Sequence, residues 1–382
     1  MNELPQVIEV QQIQSLTIPE GQQTSLCNGK FGVARYRLTE GRSAGVEMIL
    51  INWPKGQLAI CPTRGMNLWK ARLADVDCKW DSPVGGPIHP AFVAVDESSG
   101  IGWLDGFDEL LARCGTRSFG APEFDANGQL LFPLHGRASN LPAEDVQVAV
   151  DGDDLVVRGT VREARFLQYR VRLETEVRLS VDESTVSVVD RLTNESATST
   201  TCQMLYHINL GSPLLKENSE LIVACDKVAA RDAVAQPAIE SWSRYAAPQA
   251  GFSEQVYFMQ PKPDGQGWVS ALLCDEAKQQ GFSLRYKADT LPCFTQWKNT
   301  VAEVDGYVTG LEPGTGYPNP RGFEEQQGRL VQLAAGETVE FALKIDASNS
   351  EDQLSIWADE IAKQQKAQSP ELVAHDESWC VG

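Results

Sequence analysis

Two of the four histidines interrupt segments that otherwise have the apolar pattern of β-strands. His135 lies in LLFPLHGRASN and His207 lies in QMLYHINLGSP. Imidazole titrates near neutral pH, so each is a candidate proton donor or acceptor, although a hydrogen-bonded structural histidine would have the same signature. His89, between prolines in GPIHP, and His375, in the polar tail, cannot be told apart from structural or exposed residues.

A carboxylate stands at the end of a third apolar segment. Glu312 lies in GLEPGTGYPNPR, where a strand gives way to glycines and prolines that exclude regular structure. At the rim of a sheet, Glu312 is either a solvated acid or, in a cleft, a group whose pKa is raised towards that of a general base. A carboxylate and histidines together are suited to proton transfer.

The elements that must position these side chains are strands. Residues 167–181 alternate apolar and polar side chains with a period of two, which predicts a long strand with one buried face. DEST and then TVSVVDRLTN predict a turn and an antiparallel partner. Further strands are predicted at 154–163, 200–210, 220–225, 255–261, 267–275, 281–287, 293–299, 307–313, 328–333 and 338–346.

The segment GRLVQLAAGETVEFALKI predicts a closing hairpin joined around Ala335 and Gly336. Its second strand should place one apolar set on a single face: Val339, Phe341, Leu343 and Ile345. Helical patterns are scarce. Residues 351–366 predict a C-terminal helix with acids first and lysines last, and 106–112 predict a short helical turn.

No long polar segment rich in Gly, Pro or Ser divides the chain. We therefore predict an all-β fold in one domain, residues 1–382, whose C-terminal helix and tail occupy about 351–382. Limited proteolysis that yields two stable halves would contradict this.

Composition narrows the function. The net charge is −19 and the pI is near 4.7, so the chain should repel nucleic acid and anionic membranes. The opening MNELPQVIEVQQIQSL lacks the apolar stretch of a signal peptide, and no later run approaches the ~20 apolar residues of a membrane span, so we predict a cytoplasmic protein. The nine cysteines form no CxxC pair and predict free core thiols, with neither a metal site nor a cofactor.

The order of the three segments carries a family resemblance. LHG, then YHINLG, then LEPGTGYPNP resembles the LHGG, NHxYFNL and LETQxxPDxxN series of the aldose 1-epimerases, and LVQLAAGETVEF is similar to their final strand. CPTRGMNL and SPVGGPIHP resemble most closely the epimerase-like group called DUF4432. The resemblance implies a galactose mutarotase-like β-supersandwich with a short C-terminal helix.

It also implies an isomerase that interconverts sugar anomers by opening and reclosing the ring. Glu312 would be the base, His207 the acid and His135 a second donor near the ring oxygen, with Asn209 in the substrate site. We expect these groups to converge on one pocket, with Glu312 and His207 separated by the sugar ring and not directly hydrogen-bonded.

The sequence departs from the family at two points. An aspartate of the mutarotases is missing and GFSEQVYF stands there, so Glu254 either replaces it or its role is absent. GR rather than GG follows the first histidine, which brings Arg137 towards the pocket.

Other ligand-binding candidates follow from chemistry. Arginine presents a fixed fork of donors to sugar hydroxyls or a carboxylate, and Arg64, Arg113 and Arg117 lie near the motifs. Trp297 could stack on a sugar face or pack in the core. Two alternatives stay open beside a sugar-converting enzyme: a carbohydrate-binding or regulatory protein without turnover, and a hexose-phosphate mutarotase. The oligomeric state stays open as well.

Overall fold

The computed structural model describes residues 4–366 and 368–381, so the outermost residues of the predicted domain and tail, with Ala367, lie outside the described residues. Within the described ranges the backbone is mostly β, with two α-helices, α1 (Arg321–Gln326) and α2 (Glu351–Gln365). No helix in this part of the chain is long and apolar enough to cross a lipid bilayer.

The strands follow one another closely along the chain. They are β1 (Val7–Val10), β2 (Thr24–Leu26), β3 (Phe31–Leu38), β4 (Glu47–Trp53), β5 (Gly56–Cys61), β6 (Asn67–Leu73), β7 (Val76–Cys78), β8 (Leu111–Thr116), β9 (Glu123–Phe124), β10 (Leu130–Phe132), β11 (Glu144–Asp151), β12 (Asp154–Arg165), β13 (Tyr169–Ser180), β14 (Val186–Asn194), β15 (Thr200–Gly211), β16 (Glu220–Val223), β17 (Cys225–Ala230), β18 (Gln255–Pro261), β19 (Trp268–Cys274), β20 (Gly281–Lys287), β21 (Cys293–Asn299), β22 (Val308–Gly314), β23 (Val331–Leu333), β24 (Thr338–Ser348) and β25 (Glu371–Val373).

Two large sheets organise these strands. The larger has the order β1-β3-β4-β5-β6-β8-β15-β22-β21-β18-β17-β25, and the smaller has the order β11-β12-β13-β14-β24-β20-β19-β16. The largest apolar cluster takes residues from both sheets, from Phe31 to Ala347. The all-β prediction and the C-terminal helix are confirmed.

Three local predictions were wrong. Residues 106–112 do not form a helical turn: a 3-10 helix ends at Gly106 and β8 begins at Leu111, because this segment feeds the larger sheet. Leu167 lies in the turn before β13 and is 89% exposed. The strands β23 and β24 do not form a hairpin, since β23 pairs with β15 and β24 pairs with β14 and β20.

The central strand β15 is covered on both faces. Tyr206 and Ile208 point into the core between the sheets, whereas Leu205 and His207 alternate to the opposite face. That opposite face is covered by segments outside the strands, whose Trp80, Trp103 and Phe107 pack against Leu205. The outer face of the larger sheet, beneath this cover, carries the candidate site.

Candidate active site

Strand register aligns the site residues Thr295, Glu312 and His207 in one row across neighbouring strands, with Phe258 at its end. Thr295 of β21 lies opposite Glu312 of β22 and also opposite Phe258 of β18. The pairing of Ile208 with Leu311 continues the row to His207 on β15. Because side chains alternate along a strand, all four of these residues lie on the outer face of the larger sheet.

His207 and Glu312 touch each other. The distance from His207 Nε2 to Glu312 Oε1 is 3.3 Å, and both side chains are almost fully buried. The expected separation by a sugar ring was therefore wrong, because neighbouring strands place the two groups side by side. Gly310 makes room for them: a Cβ there would lie 2.7 Å from Glu312 Oε1 and 2.8 Å from His207 Cε1.

Asn209 determines which nitrogen of His207 carries a proton. The Asn209 side-chain nitrogen donates to the carbonyl oxygens of Glu109 and His207, so its Oδ1 is free to accept. That Oδ1 lies 2.6 Å from His207 Nδ1, which must be the donor. In the neutral ring Nε2 is then an acceptor facing Glu312. Asn209 contacts the histidine, whereas the sequence placed it in the substrate site.

The pair is set to hold one proton near neutral pH. Burial, followed by the negative charge of Glu254, raises the pKa of Glu312 from 4.5 to about 8, although Arg231 opposes this rise. Burial and the neighbouring His135 lower the pKa of His207 well below 6.5. Near neutral pH the pair therefore holds one proton on the Glu312 carboxyl group, and the unprotonated His207 Nε2 lies 3.3 Å from it.

His135 approaches from the loop that covers the sheet. Its backbone has a φ of 56°, and its Nδ1 lies 2.7 Å from the carbonyl oxygen of Phe119, which can only accept. Nδ1 therefore carries the proton. Burial lowers the pKa of His135 to about 4, so the ring is neutral and Nε2 is an acceptor. The donor role that the resemblance implied does not fit this tautomer.

These groups line one cavity of about 240 Å³. Its walls include the aromatic rings of Trp103, Phe107 and Trp297, with the Trp103 and Phe107 ring centroids 4.5 Å apart. The volume is slightly below the ~300–1,000 Å³ typical of small-molecule pockets, which suits a single sugar ring. Sequence reasoning missed Trp103, Phe107 and Thr295, because the first two lie outside the strands and a threonine within a strand carries no signal.

A charged group lies at the cavity wall. Arg231 Nη2 bonds Glu254 Oε1 at 3.0 Å and Asp232 Oδ2 at 2.8 Å, and Trp297 Nε1 donates to Glu254 Oε2 at 2.7 Å. Glu254, Arg231 and Trp297 all line the cavity. The Arg231 guanidinium thus already forms ion pairs with two carboxylates. Glu254, the candidate replacement for the missing aspartate, lines the cavity.

Two of the predicted arginines lie away from this cavity in buried ion pairs. Arg64 pairs with Glu109 and donates to Asn140 Oδ1 at 2.7 Å. Arg113 pairs with Asp190 at 2.7 Å, because it alternates with cavity-side neighbours on β8 and so points towards the other sheet. Neither guanidinium is free to bind a sugar.

The other two arginines also have structural partners outside the lining. Arg117 donates to Thr200 Oγ1 at 2.7 Å and to the Thr201 carbonyl oxygen at 2.9 Å. Arg137, next to Gly136 in the His135 loop, pairs with Asp96. Of the nine predicted site residues, His135, His207, Trp297 and Glu312 line the cavity. Asn209 does not line it and is hydrogen-bonded to His207.

Within the described ranges, no group of three or more His, Cys, Asp or Glu side chains is arranged to hold a metal ion. Burial raises the pKa of several cysteines, Cys61 among them to about 12, so these thiols are protonated core groups.

The family model "Domain of unknown function (DUF4432)" matches residues 43–347. The chain belongs to the DUF4432 family. A comparison with curated proteins finds no match. A candidate aldose 1-epimerase from Klebsiella pneumoniae, known as a crystal structure, is 32% identical to this DUF4432 chain, with a TM-score of 0.86 over 90% of each chain.

More distant structures share the fold alone. A galactose mutarotase-like protein from Clostridium acetobutylicum is 14% identical, with a TM-score of 0.58 over 85% of this chain and 100% of that one. A galactose 1-epimerase from Lactobacillus acidophilus is 11% identical, with a TM-score of 0.53 over 84% and 98%. The DUF4432 chain therefore has the galactose mutarotase-like fold, as the sequence resemblance implied.

Proposed function

We propose that the protein interconverts the anomers of an aldose by acid-base opening and closing of the sugar ring. The observation that carries the proposal is the buried contact of Glu312 Oε1 with His207 Nε2, 3.3 Å apart, inside a cavity of monosaccharide size. The similarity to a candidate aldose 1-epimerase agrees with it.

The proton count of the pair matches the reaction. With the proton of the pair on His207 Nε2, the Glu312 carboxylate removes the proton from the anomeric hydroxyl. The C1–O1 bond becomes a carbonyl, the C1–O5 bond breaks, and O5 takes the proton from Nε2. Rotation about C1–C2 presents the other carbonyl face, and the reverse transfers reclose the ring. Each transfer contributes roughly 10²- to 10⁴-fold.

The surrounding groups have binding roles in this proposal. His135 Nε2 accepts a hydrogen bond from a sugar hydroxyl, because its Nδ1 proton is held by Phe119. Trp103, Phe107 and Trp297 offer apolar faces to the ring. Asn209 holds the tautomer of His207 and does not touch the sugar.

The charges of the cavity favour an uncharged sugar over a hexose phosphate. A phosphate would need an available cation, but Arg231 is already bonded to Asp232 and Glu254. A phosphate or carboxylate on the substrate would also meet the negative Glu254. This argument favours a free aldose over the hexose-phosphate alternative.

NMR exchange spectroscopy on a panel of aldoses, each beside its 6-phosphate and its uronate, tests the proposal. We expect faster anomer exchange for at least one uncharged aldose and much less for its charged forms. No acceleration on any of them would refute the catalytic proposal. Sugar binding by calorimetry without exchange would instead support the non-catalytic binding protein.

A further inference from the structure

The last described residues cross the back of the cavity wall. Residues 368–381, which we call the C-terminal strap, include β25, and β25 pairs in parallel with β17 through Leu372 and Val228. Further along, Asp376 forms an ion pair with Lys227, and the Lys227 ammonium lies 4.0 Å from the centre of the Trp379 ring. The strap lies beyond residues 43–347, which the family model matches.

The C-terminal end of the strap contacts the loop after β22. The Trp379 ring lies 5.0 Å from the Tyr317 ring, and the Trp379 carbonyl oxygen accepts from Asn319 Nδ2 at 2.8 Å. Between these two contacts lies Pro318, which lines the cavity and whose carbonyl oxygen accepts from Ala121 N. The strap therefore holds a cavity residue from both sides.

A second contact reaches the opposite wall. Cys380 is 1% exposed and packs in a cluster with Val256, and its thiol lies 3.5 Å from the carbonyl oxygen of Ala230. Arg231, which follows Ala230 in the chain, donates its backbone N–H to Val256 O at 3.0 Å. Arg231 and Val256 both line the cavity, so one short segment supports residues of two walls.

We propose that the C-terminal strap is a positioning element of the candidate active site. It sets the Pro318 loop and the Arg231 wall, which would contact the sugar, while Glu312 and His207 lie on strands that pair with other elements. Loss of the strap contacts should therefore weaken substrate binding more than proton transfer. The activity part of this inference rests on the proposed function, whereas the structural part does not.

Hydrogen–deuterium exchange on the full-length chain tests the structural part without a ligand. In Trp379→Ala we expect the Ala121 and Arg231 amides to exchange at least tenfold faster, while amides of β15 are unchanged. Trp379→Phe should restore protection, because it keeps a ring on Tyr317. Trp357→Ala, in α2 and partly buried against Leu354, is the matched control that should lower Tm without changing these two amides.

Asp376→Asn provides a second variant if Trp379→Ala does not fold, because it weakens the Lys227 contact without opening the core. It should give the same local pattern at smaller amplitude. Unchanged protection of Ala121 and Arg231, or faster exchange spread evenly over the sheet, would overturn the inference.

The activity part uses D-galactose as the first probe, followed by the aldose of the panel that exchanges fastest. Trp379→Ala should raise KM several-fold, with kcat nearly unchanged. An equal fall in kcat with KM unchanged would contradict a positioning role. If the unaltered protein accelerates no sugar, the proposed function fails, and the exchange experiment still decides whether the strap orders the cavity.

Discussion

Replacing Glu312 by glutamine should stabilise the protein at alkaline pH. The pKa of Glu312 rises from 4.5 to about 8 on folding, mainly through burial. A folded-state pKa above the unfolded value means that the folded protein binds the proton more tightly, so the stabilisation is complete below pH 4.5 and is lost as pH rises to about 8. Glutamine is uncharged at every pH and escapes this loss.

The interval between the two pKa values sets the magnitude. At ~1.4 kcal/mol per pH unit, it corresponds to a loss of unfolding free energy on the order of 5 kcal/mol in the unaltered protein by pH 8–9. His207 lies beside Glu312 and titrates in the same site, so we expect the measured loss of unfolding free energy to be below this value. Glu312→Gln should show a much flatter fall in unfolding free energy over the same pH range.

Urea denaturation from pH 5 to pH 9 measures the effect. We expect the gap between Glu312→Gln and the unaltered protein to widen in favour of the variant as pH rises. Glu254→Gln is the matched control, because it removes a carboxylate that is 47% exposed and should leave most of the pH dependence in place. A constant gap between pH 5 and pH 9 would show that Glu312 is not held protonated by burial.

Three further outcomes are expected. The pH–rate profile of anomer exchange should be bell-shaped. Its alkaline limb should lie near pH 8, where Glu312 loses the proton of the pair, and its acid limb well below pH 6.5, where His207 takes a second proton. A flat profile from pH 6 to pH 10 would argue against the pair. Asn209→Leu should lower kcat roughly 10- to 100-fold with little change in KM. It should also move the acid limb to lower pH, since the hydrogen bond to Asn209 stabilises the charged His207 ring. Asn209→Asp should recover part of the rate. Gly310→Ala should lower kcat at least tenfold, because the new methyl group would contact both Glu312 and His207. It should also lower the free energy of unfolding by ~1–3 kcal/mol in urea denaturation. Unchanged kinetics would mean that the pair has room to move.

Strand β13 was readable because it has one polar face, whereas β18, β20 and β21 were readable as short apolar segments between turns. The alternation along 167–181 predicted β13 within two residues, and the predicted bounds of β18, β20 and β21 match the structure. The pairing of β23 with β15 was not readable, because a local turn signal between β23 and β24 does not show which sheet each strand joins.

The candidate site was only partly readable. Motif order identified His135, His207 and Glu312, but not the direct contact between the last two. That contact depends on the register of β15 against β22, and both strands are buried on both faces, so their sequences lack the alternation that would indicate it. The same uncertainty about which face a residue occupies explains why Arg113 was expected at the substrate site and is found in an ion pair between the sheets.

The most direct test of the central claim is the anomer exchange rate of Glu312→Gln beside its sugar affinity. Glutamine keeps the shape of the side chain, and its amide can still donate to His207 Nε2, so the cavity should bind the sugar with nearly unchanged Kd. We predict that the exchange rate falls roughly 10²- to 10⁴-fold, because the variant cannot accept the proton of the anomeric hydroxyl. Exchange by Glu312→Gln at the rate of the unaltered protein would contradict the assignment of Glu312 as the base.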